Sequence, residues 1–323
     1  MRIGFTYRFN NLWKEQCTPL MERHREHEFV MDRETTLKEI ETFHVLVGGI
    51  EPKEVYEAAH SVQAVFVPFV GVDHLPAQVF LERGVRVFNS HGNARYVAER
   101  TLALLLCYTG RVLEFHQDLS RGVWHGWVGK GIFDTWDSIV GCTVTLLGAG
   151  AIAQWIARYL KLFDCRVVCY RKSVKAPEGF DGVYYDLREA LKVADIVIST
   201  LPLTEETRGL LGREELSWMQ GKILVNVGRG EVIEEEALYY ALKEGILKAA
   251  CIDTWYSYPE GGEEVHFPSR FPFQNLPNVI FSPHVGGFTP KATVENIKVT
   301  VANLEAYLAG KPVPNEVDLR RMY

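Results

Sequence analysis

The chain has no excess of positive charge, no repeat, no low-complexity stretch and no paired C-x-x-C. A formal net charge of −6 over 323 residues argues against a general nucleic-acid binder, which would need a basic face for the phosphates. No block of like charge forms an interaction tail. The cysteines, Cys17, Cys107, Cys142, Cys165, Cys169 and Cys251, form no set with zinc spacing alongside histidine, so no metal site is expected. They read as reduced, buried thiols of a cytoplasmic protein. The opening "MRIGFTYRF" begins a strand. It lacks a basic region followed by an apolar stretch, so no secretory signal is expected.

One long uncharged run is present, at positions 138–157. Its length suits a membrane span, but its content does not. "TVTLL" is a short β-type run, "GAGA" a turn, and "IAQWIARYL" has helical spacing. Strand, glycine turn and helix begin a βαβ unit, so no membrane partner is expected.

The same alternation runs through the chain. Before position 95, "IGFTY", "FHVLVGG", "SVQAVFVPFVG" and "VRVFNS" are strand candidates and "EPKEVYEAAH" a helix. A long helix follows over 94–109, stopped at Gly110. From Thr143 strands are expected at 143–147, 166–170, 195–200, 223–227, 248–252 and 279–281, with helices over 151–163, 187–193 and 235–244 between them. A last helix starts at Thr289-Pro290, an N-cap with a first-turn proline, and stops at Gly310. Strands alternating with helices predict an α/β fold with parallel sheets. The last helix is placed back on the first domain. The expectation is therefore a substrate domain from 1–93 and 290–323, with a dinucleotide-binding domain, 94–289, inserted into it.

Gly148, Gly150 and Ala153 form G-x-G-x-x-A. The first glycine allows the sharp turn and the second lets a pyrophosphate reach the backbone. The third position must be small for close helix packing. Ala151 and Ile152 open the helix, whose free N–H groups and positive dipole end suit phosphate. The next strand ends at Arg171, Lys172 and Ser173, where an NAD site places an acidic residue for the ribose hydroxyls. Two cations and a hydroxyl suit a 2′-phosphate instead, so NADP(H) is favoured, with NAD(H) the alternative if these are ordinary solvated loop charges.

"VNVGRGEVIEEEALYYALKEG", "AACIDTW", "FSPHVGG" and "TLPLTEETRGL", with the glycine loop, resemble the D-isomer-specific 2-hydroxyacid dehydrogenases. That family includes glyoxylate/hydroxypyruvate reductases, phosphoglycerate dehydrogenases and formate dehydrogenases. The resemblance implies a Rossmann domain inserted into a flavodoxin-like domain, with the active site in the cleft between. It implies reduction of a small 2-keto acid to a D-2-hydroxy acid by NAD(P)H. Arg229 corresponds to the family arginine that binds the substrate carboxylate, and His284 to the histidine that gives the keto oxygen its proton. Gly71, flanked by Val70, resembles the glycine turn that holds the carboxylate through backbone N–H groups, and Asn93 matches a position nearby. Asp253 matches the aspartate near the nicotinamide carboxamide. Thr200, Leu201, Pro202, Thr207, Val227 and Gly286 match positions along the cofactor. The family also implies a homodimer, which the aromatic segment holding Trp124, Trp127 and Trp136 would help to build.

In one place the chain departs from the family. Where a glutamate usually keeps the histidine protonated, it has Tyr258. A phenol lends no charge near neutral pH, so keto-acid reduction is expected to favour acidic pH. Glu260, Glu263 or Glu264 could take the glutamate's place. Two other readings follow from the altered pair: hydride transfer from formate, which needs no hydroxyl proton, and a catalytically weak NAD(P)-sensing partner protein.

Overall fold

Short runs of Val, Ile, Leu and Phe become strands that are mostly buried on both faces, and every strand pair among the described residues is parallel. Such strands carry near-continuous apolar sequence because helices cover both sides of the sheet. The computed structural model describes residues 1–7, 9–126, 134–172 and 178–323. Trp127 and Ser173 lie outside the described residues. The described chain divides into two units, one from 1–93 with 287–323 and one from 94–286. The chain thus leaves the first unit after Asn93 and returns to it at Gly287.

The first unit holds β1 (Arg2–Phe5), β2 (Glu28–Val30), β3 (Val45–Val47), β4 (Ala64–Phe66) and β5 (Arg86–Phe88), in the order β2-β1-β3-β4-β5. This is the flavodoxin-like order. Helices Asn11–Arg23 and Pro290–Leu308 supply Trp13, Leu20, Ile297 and Leu304 to one core, while Phe43, Tyr56 and Phe80 fill another. The second of these helices starts as its sequence requires. Thr289 Oγ1 accepts the Ala292 N–H at 3.0 Å, and Pro290 sits in the first turn.

The second unit holds β6 (Thr143–Leu147), β7 (Arg166–Tyr170), β8 (Gly182–Tyr184), β9 (Ile196–Ser199), β10 (Ile223–Asn226), β11 (Ala249–Ile252) and β12 (Val279–Phe281). Their order is β12-β11-β10-β9-β6-β7-β8. The chain therefore reverses direction across the sheet between β6 and β9, as in a Rossmann fold. Helices Ala94–Thr109 and Ala151–Lys161 bury Leu102, Leu105, Ile156 and Leu160 in one core. Helices Leu187–Val193, Arg213–Ser217 and Glu235–Lys243 bury Leu191, Leu216 and Leu238 in another. All six cysteines are free thiols. Burial pushes the Cys17 thiol up to about 12 and Cys165 and Cys169 up to about 11, which keeps them protonated and unreactive. Among the described residues no helix is long and apolar enough to cross a membrane.

Candidate cofactor and active site

Because all seven strands of the second unit run the same way, their C-terminal ends share one edge of the sheet. The expected site residues of this unit gather there. Gly148 follows β6, Arg171 follows β7, Thr200 follows β9, Val227 follows β10 and Asp253 follows β11; His284 comes three residues past β12. Ligands of open α/β sheets bind at this edge, beside the point where strand order reverses.

At that point β6 turns sharply into the helix Ala151–Lys161. Gly148 has φ +96°, and a Cβ there would stand 3.1 Å from Thr200 Oγ1, so the position needs glycine. Gly150 caps the helix without any side-chain hydrogen bond, and a Cβ built on it meets nothing within 4 Å. The space beside Gly150 is open, and Ala153 is fully buried. An uncapped helix start facing open space fits a pyrophosphate.

Arg171 and Lys172 stand at the end of the neighbouring strand. Lys172 Nζ pairs with Glu206 Oε2 at 3.0 Å, the two side chains being 58% and 71% exposed. At that exposure the pair contributes at most about 1 kcal/mol. The loop after β9 is braced locally: Thr200 Oγ1 donates to Leu147 O at 3.0 Å and Thr207 Oγ1 to Pro202 O at 2.6 Å. Leu201 lies so close to the turn after β10 that a Cβ on Gly228 would sit 2.5 Å from its carbonyl oxygen.

Arg229 is shaped by a residue that sequence reasoning passed over. Asn226, 1% exposed, donates from Nδ2 to Arg229 O at 3.0 Å and accepts the Gly228 N–H at 3.2 Å. Arg229 Nη1 donates to Gly228 O at 3.0 Å. The asparagine thus clamps both sides of the turn that presents the guanidinium. Its signal was its place, three residues before the arginine in "NVGRG".

Asp253 does for His284 what Asn226 does for Arg229. Its buried carboxylate accepts Val285 N–H at 3.1 Å, Gly286 N–H at 2.9 Å and the Ser282 hydroxyl. Arg100 in turn donates to Ser282 Oγ at 3.0 and 3.2 Å. The turn over 282–286 is therefore tied down on both sides of His284, which is exposed and has φ +55°. A non-glycine residue in this left-handed region persists only where its neighbours over-determine it, and Asp253 supplies that constraint.

Tyr258 stands beside the histidine, with ring centroids 5.5 Å apart and a tilt of 49°. Its hydroxyl accepts the Trp255 N–H at 3.0 Å. Desolvation raises its pKa above the ordinary phenol value, so it stays neutral across the physiological range. Of the three glutamates that could replace the family carboxylate, Glu263 is engaged elsewhere, 2.6 Å from His266 Nδ1, and Glu260 and Glu264 are exposed.

Val70, Gly71 and Asn93 belong to the first unit. Val70 O accepts from Asn89 Nδ2 at 2.8 Å, which fixes the turn. The Asn93 N–H donates to Asn296 Oδ1 at 3.0 Å, while its own side-chain oxygen is buried with no hydrogen-bond partner.

The NAD-binding domain model of the D-isomer specific 2-hydroxyacid dehydrogenases matches residues 102–286, which carry the edge just described. The chain belongs to that family. Among its curated relatives, a glyoxylate/hydroxypyruvate reductase B of Pectobacterium atrosepticum is 33% identical over 276 residues, 84% of this chain and 83% of that one. A D-3-phosphoglycerate dehydrogenase of Methanocaldococcus jannaschii is 31% identical over 90% of this chain, which spans only 54% of it. Among solved structures, an NADPH-dependent glyoxylate/hydroxypyruvate reductase of Sinorhizobium meliloti, in complex with NADP and malonate, is 25% identical with a TM-score of 0.77. The match covers 99% of this chain and 97% of that one. The dehydrogenase is thus an NAD(P)-dependent oxidoreductase with a Rossmann cofactor domain.

Proposed function

We propose that this dehydrogenase reduces a small 2-keto acid to the D-2-hydroxy acid, with Arg229 holding the carboxylate and His284 delivering the proton. The observation that carries the reading is the pair of clamps: Asn226 fixes the Arg229 turn and Asp253 fixes the His284 turn, on strands that flank β11 in one sheet. The bound nicotinamide supplies a hydride to the α-carbon. Negative charge then grows on the keto oxygen, where a guanidinium stabilises it and an imidazolium neutralises it by giving up its proton. Gly148, Gly150 and the start of the helix Ala151–Lys161 would hold the pyrophosphate, with Thr200, Leu201, Pro202, Thr207, Val227, Asp253 and Gly286 along the rest of the cofactor. Val70, Gly71 and Asn93 are proposed substrate contacts. The test is loss of reduced-cofactor absorbance with glyoxylate, hydroxypyruvate, pyruvate and phenylpyruvate. Turnover of formate in their place would overturn the reading, as would cofactor binding without turnover of any of them.

NADPH is the proposed cofactor over NADH. The support is Arg171 and Lys172 at the end of β7, the strand end where this fold recognises the ribose. A charge-assisted hydrogen bond is worth about 1.5–3 kcal/mol. Arg171→Ala is therefore expected to lower kcat/KM for NADPH about 10- to 100-fold while leaving NADH within about threefold. Equal losses with both cofactors would assign Arg171 to the adenine instead.

A homodimer completes the proposal. Val112, Leu113, Trp124 and Trp136 are all at least half exposed on the second unit, and large apolar side chains left in water suit an interface core. Light scattering is expected to return twice the chain mass of 36.7 kDa, and Trp136→Glu to shift the protein toward the monomer.

A further inference from the structure

One segment of the second unit holds a second set of chemically poised groups. Ser257 Oγ lies 2.8 Å from His266 Nε2, and His266 Nδ1 lies 2.6 Å from Glu263 Oε2. In the neutral ring a carboxylate, which only accepts, draws the proton to Nδ1 and leaves Nε2 to accept from the serine hydroxyl. This is the order of contacts that activates a serine: nucleophile, base, orienting acid. The group is separate from the reductase site. Tyr258 turns its hydroxyl to the Trp255 N–H and its ring toward His284, while Ser257 turns to His266.

The three residues sit on a closed loop. The N–H groups of Tyr256 and Ser257 both donate to Pro268 O, at 3.3 and 3.0 Å, which joins the two ends. Ser257 opens onto a cavity of about 400 Å³, walled by Tyr256 and Phe267 and bordered by Ser269, Arg270 and Glu235. Arg270 pairs there through Nε, 2.9 Å from Glu235 Oε2, and its side chain is 73% exposed. Its two terminal nitrogens remain for a ligand.

We propose that Ser257, His266 and Glu263 form an esterolytic site that takes short-chain carboxylic esters into this cavity. Ser257 Oγ bonds to the ester carbonyl carbon as His266 Nε2 takes the hydroxyl proton. The resulting oxyanion is assigned to the Arg270 guanidinium, which borders the same cavity, since the backbone N–H of Ser257 is already bonded to Pro268 O. The ester C–O bond then breaks and the alcohol leaves with the proton from His266. Water adds to the acyl-serine by the same route, releasing the carboxylic acid and restoring Ser257. No oxidant or reductant is needed. With one mobile cation in place of a preorganised pair of N–H donors, acylation of activated esters outpaces that of alkyl esters.

The experiment follows p-nitrophenyl acetate with the full chain, measuring the burst of p-nitrophenolate and locating the acyl group by peptide mass. A fluorophosphonate probe is mapped in parallel. The expected result is one acyl or phosphonyl group on Ser257, with both adducts absent from Ser257→Ala. His266→Asn is expected to slow acylation about 10²- to 10⁴-fold, the range for loss of a general base, with an unchanged thermal midpoint. Adducts elsewhere on the wild-type chain overturn the proposal, as does acylation no faster than in His266→Asn or in the urea-unfolded chain. If Ser257→Ala fails to fold, the adduct position on the wild-type protein and the His266→Asn rate decide.

Discussion

Replacing Arg229 by leucine is expected to lower kcat/KM for a 2-keto acid by about 10³- to 10⁵-fold, the largest single effect in the molecule. The guanidinium is assigned two tasks that the substitution removes together. Two parallel N–H donors hold a carboxylate, and the fixed positive charge meets the oxygen that becomes negative in the transition state. One donor aimed at such an oxygen is worth about 10²–10³ in rate, and loss of the carboxylate grip adds to that through KM. The turn itself survives, because Asn226 bonds Arg229 O and Gly228 N–H through the backbone. Fold and cofactor binding should therefore persist, as circular dichroism and NADPH fluorescence titration would show. Arg229→Lys keeps the charge but not the fork, and should recover only part of the loss. The split between parameters is the discriminating measurement. If Arg229→Leu raises KM and leaves kcat unchanged, the arginine only binds substrate and does not stabilise the developing charge.

The nucleotide edge was legible because local chemistry dictates it. Short apolar runs between turns, such as Ile223–Asn226, read as buried parallel strands, and Gly148 must be glycine where φ is +96°. Strands β2 and β8 escaped the reading for a physical reason. Each has only three residues, each is partly exposed, and each pairs with a single neighbour at a sheet edge, so neither shows the apolar run of a buried strand. The helix Asn11–Arg23 was hidden by Pro19 inside it, a residue that argues for a helix end. In the site, Arg229 and His284 were visible as motif residues, but the reason each is held was not. Arg100, Asp253 and Ser282 are far apart in sequence and meet only once the sheet places their strands together. The pairing of Lys172 with Glu206, 34 residues away, is likewise a product of topology.

His284→Asn is expected to lower kcat for keto-acid reduction by about 10²- to 10⁴-fold, the range for loss of a general acid. The substitution is steric-neutral in one respect, since asparagine also tolerates the left-handed backbone found at φ +55°. The pH dependence then separates a proton donor from a mere spacer, and Tyr258 is the lever. In the wild-type protein one neighbour of His284 is a phenol held by the Trp255 N–H, with its pKa raised by desolvation. It stays uncharged well into the alkaline range, so it does nothing to retain a proton on the imidazole. Reduction requires that proton, so activity should fall as pH rises through the titration of His284. Tyr258→Glu puts an anion beside the ring, and an opposite charge within a few ångströms favours the charged form of its neighbour. The sign is then fixed: the imidazolium persists to higher pH, and the alkaline limb of kcat should move up by about 1–3 units. Tyr258→Gln adds no charge and should leave the limb where it is. A limb that fails to move in Tyr258→Glu, or that survives unchanged in His284→Asn, would show that another group supplies the proton.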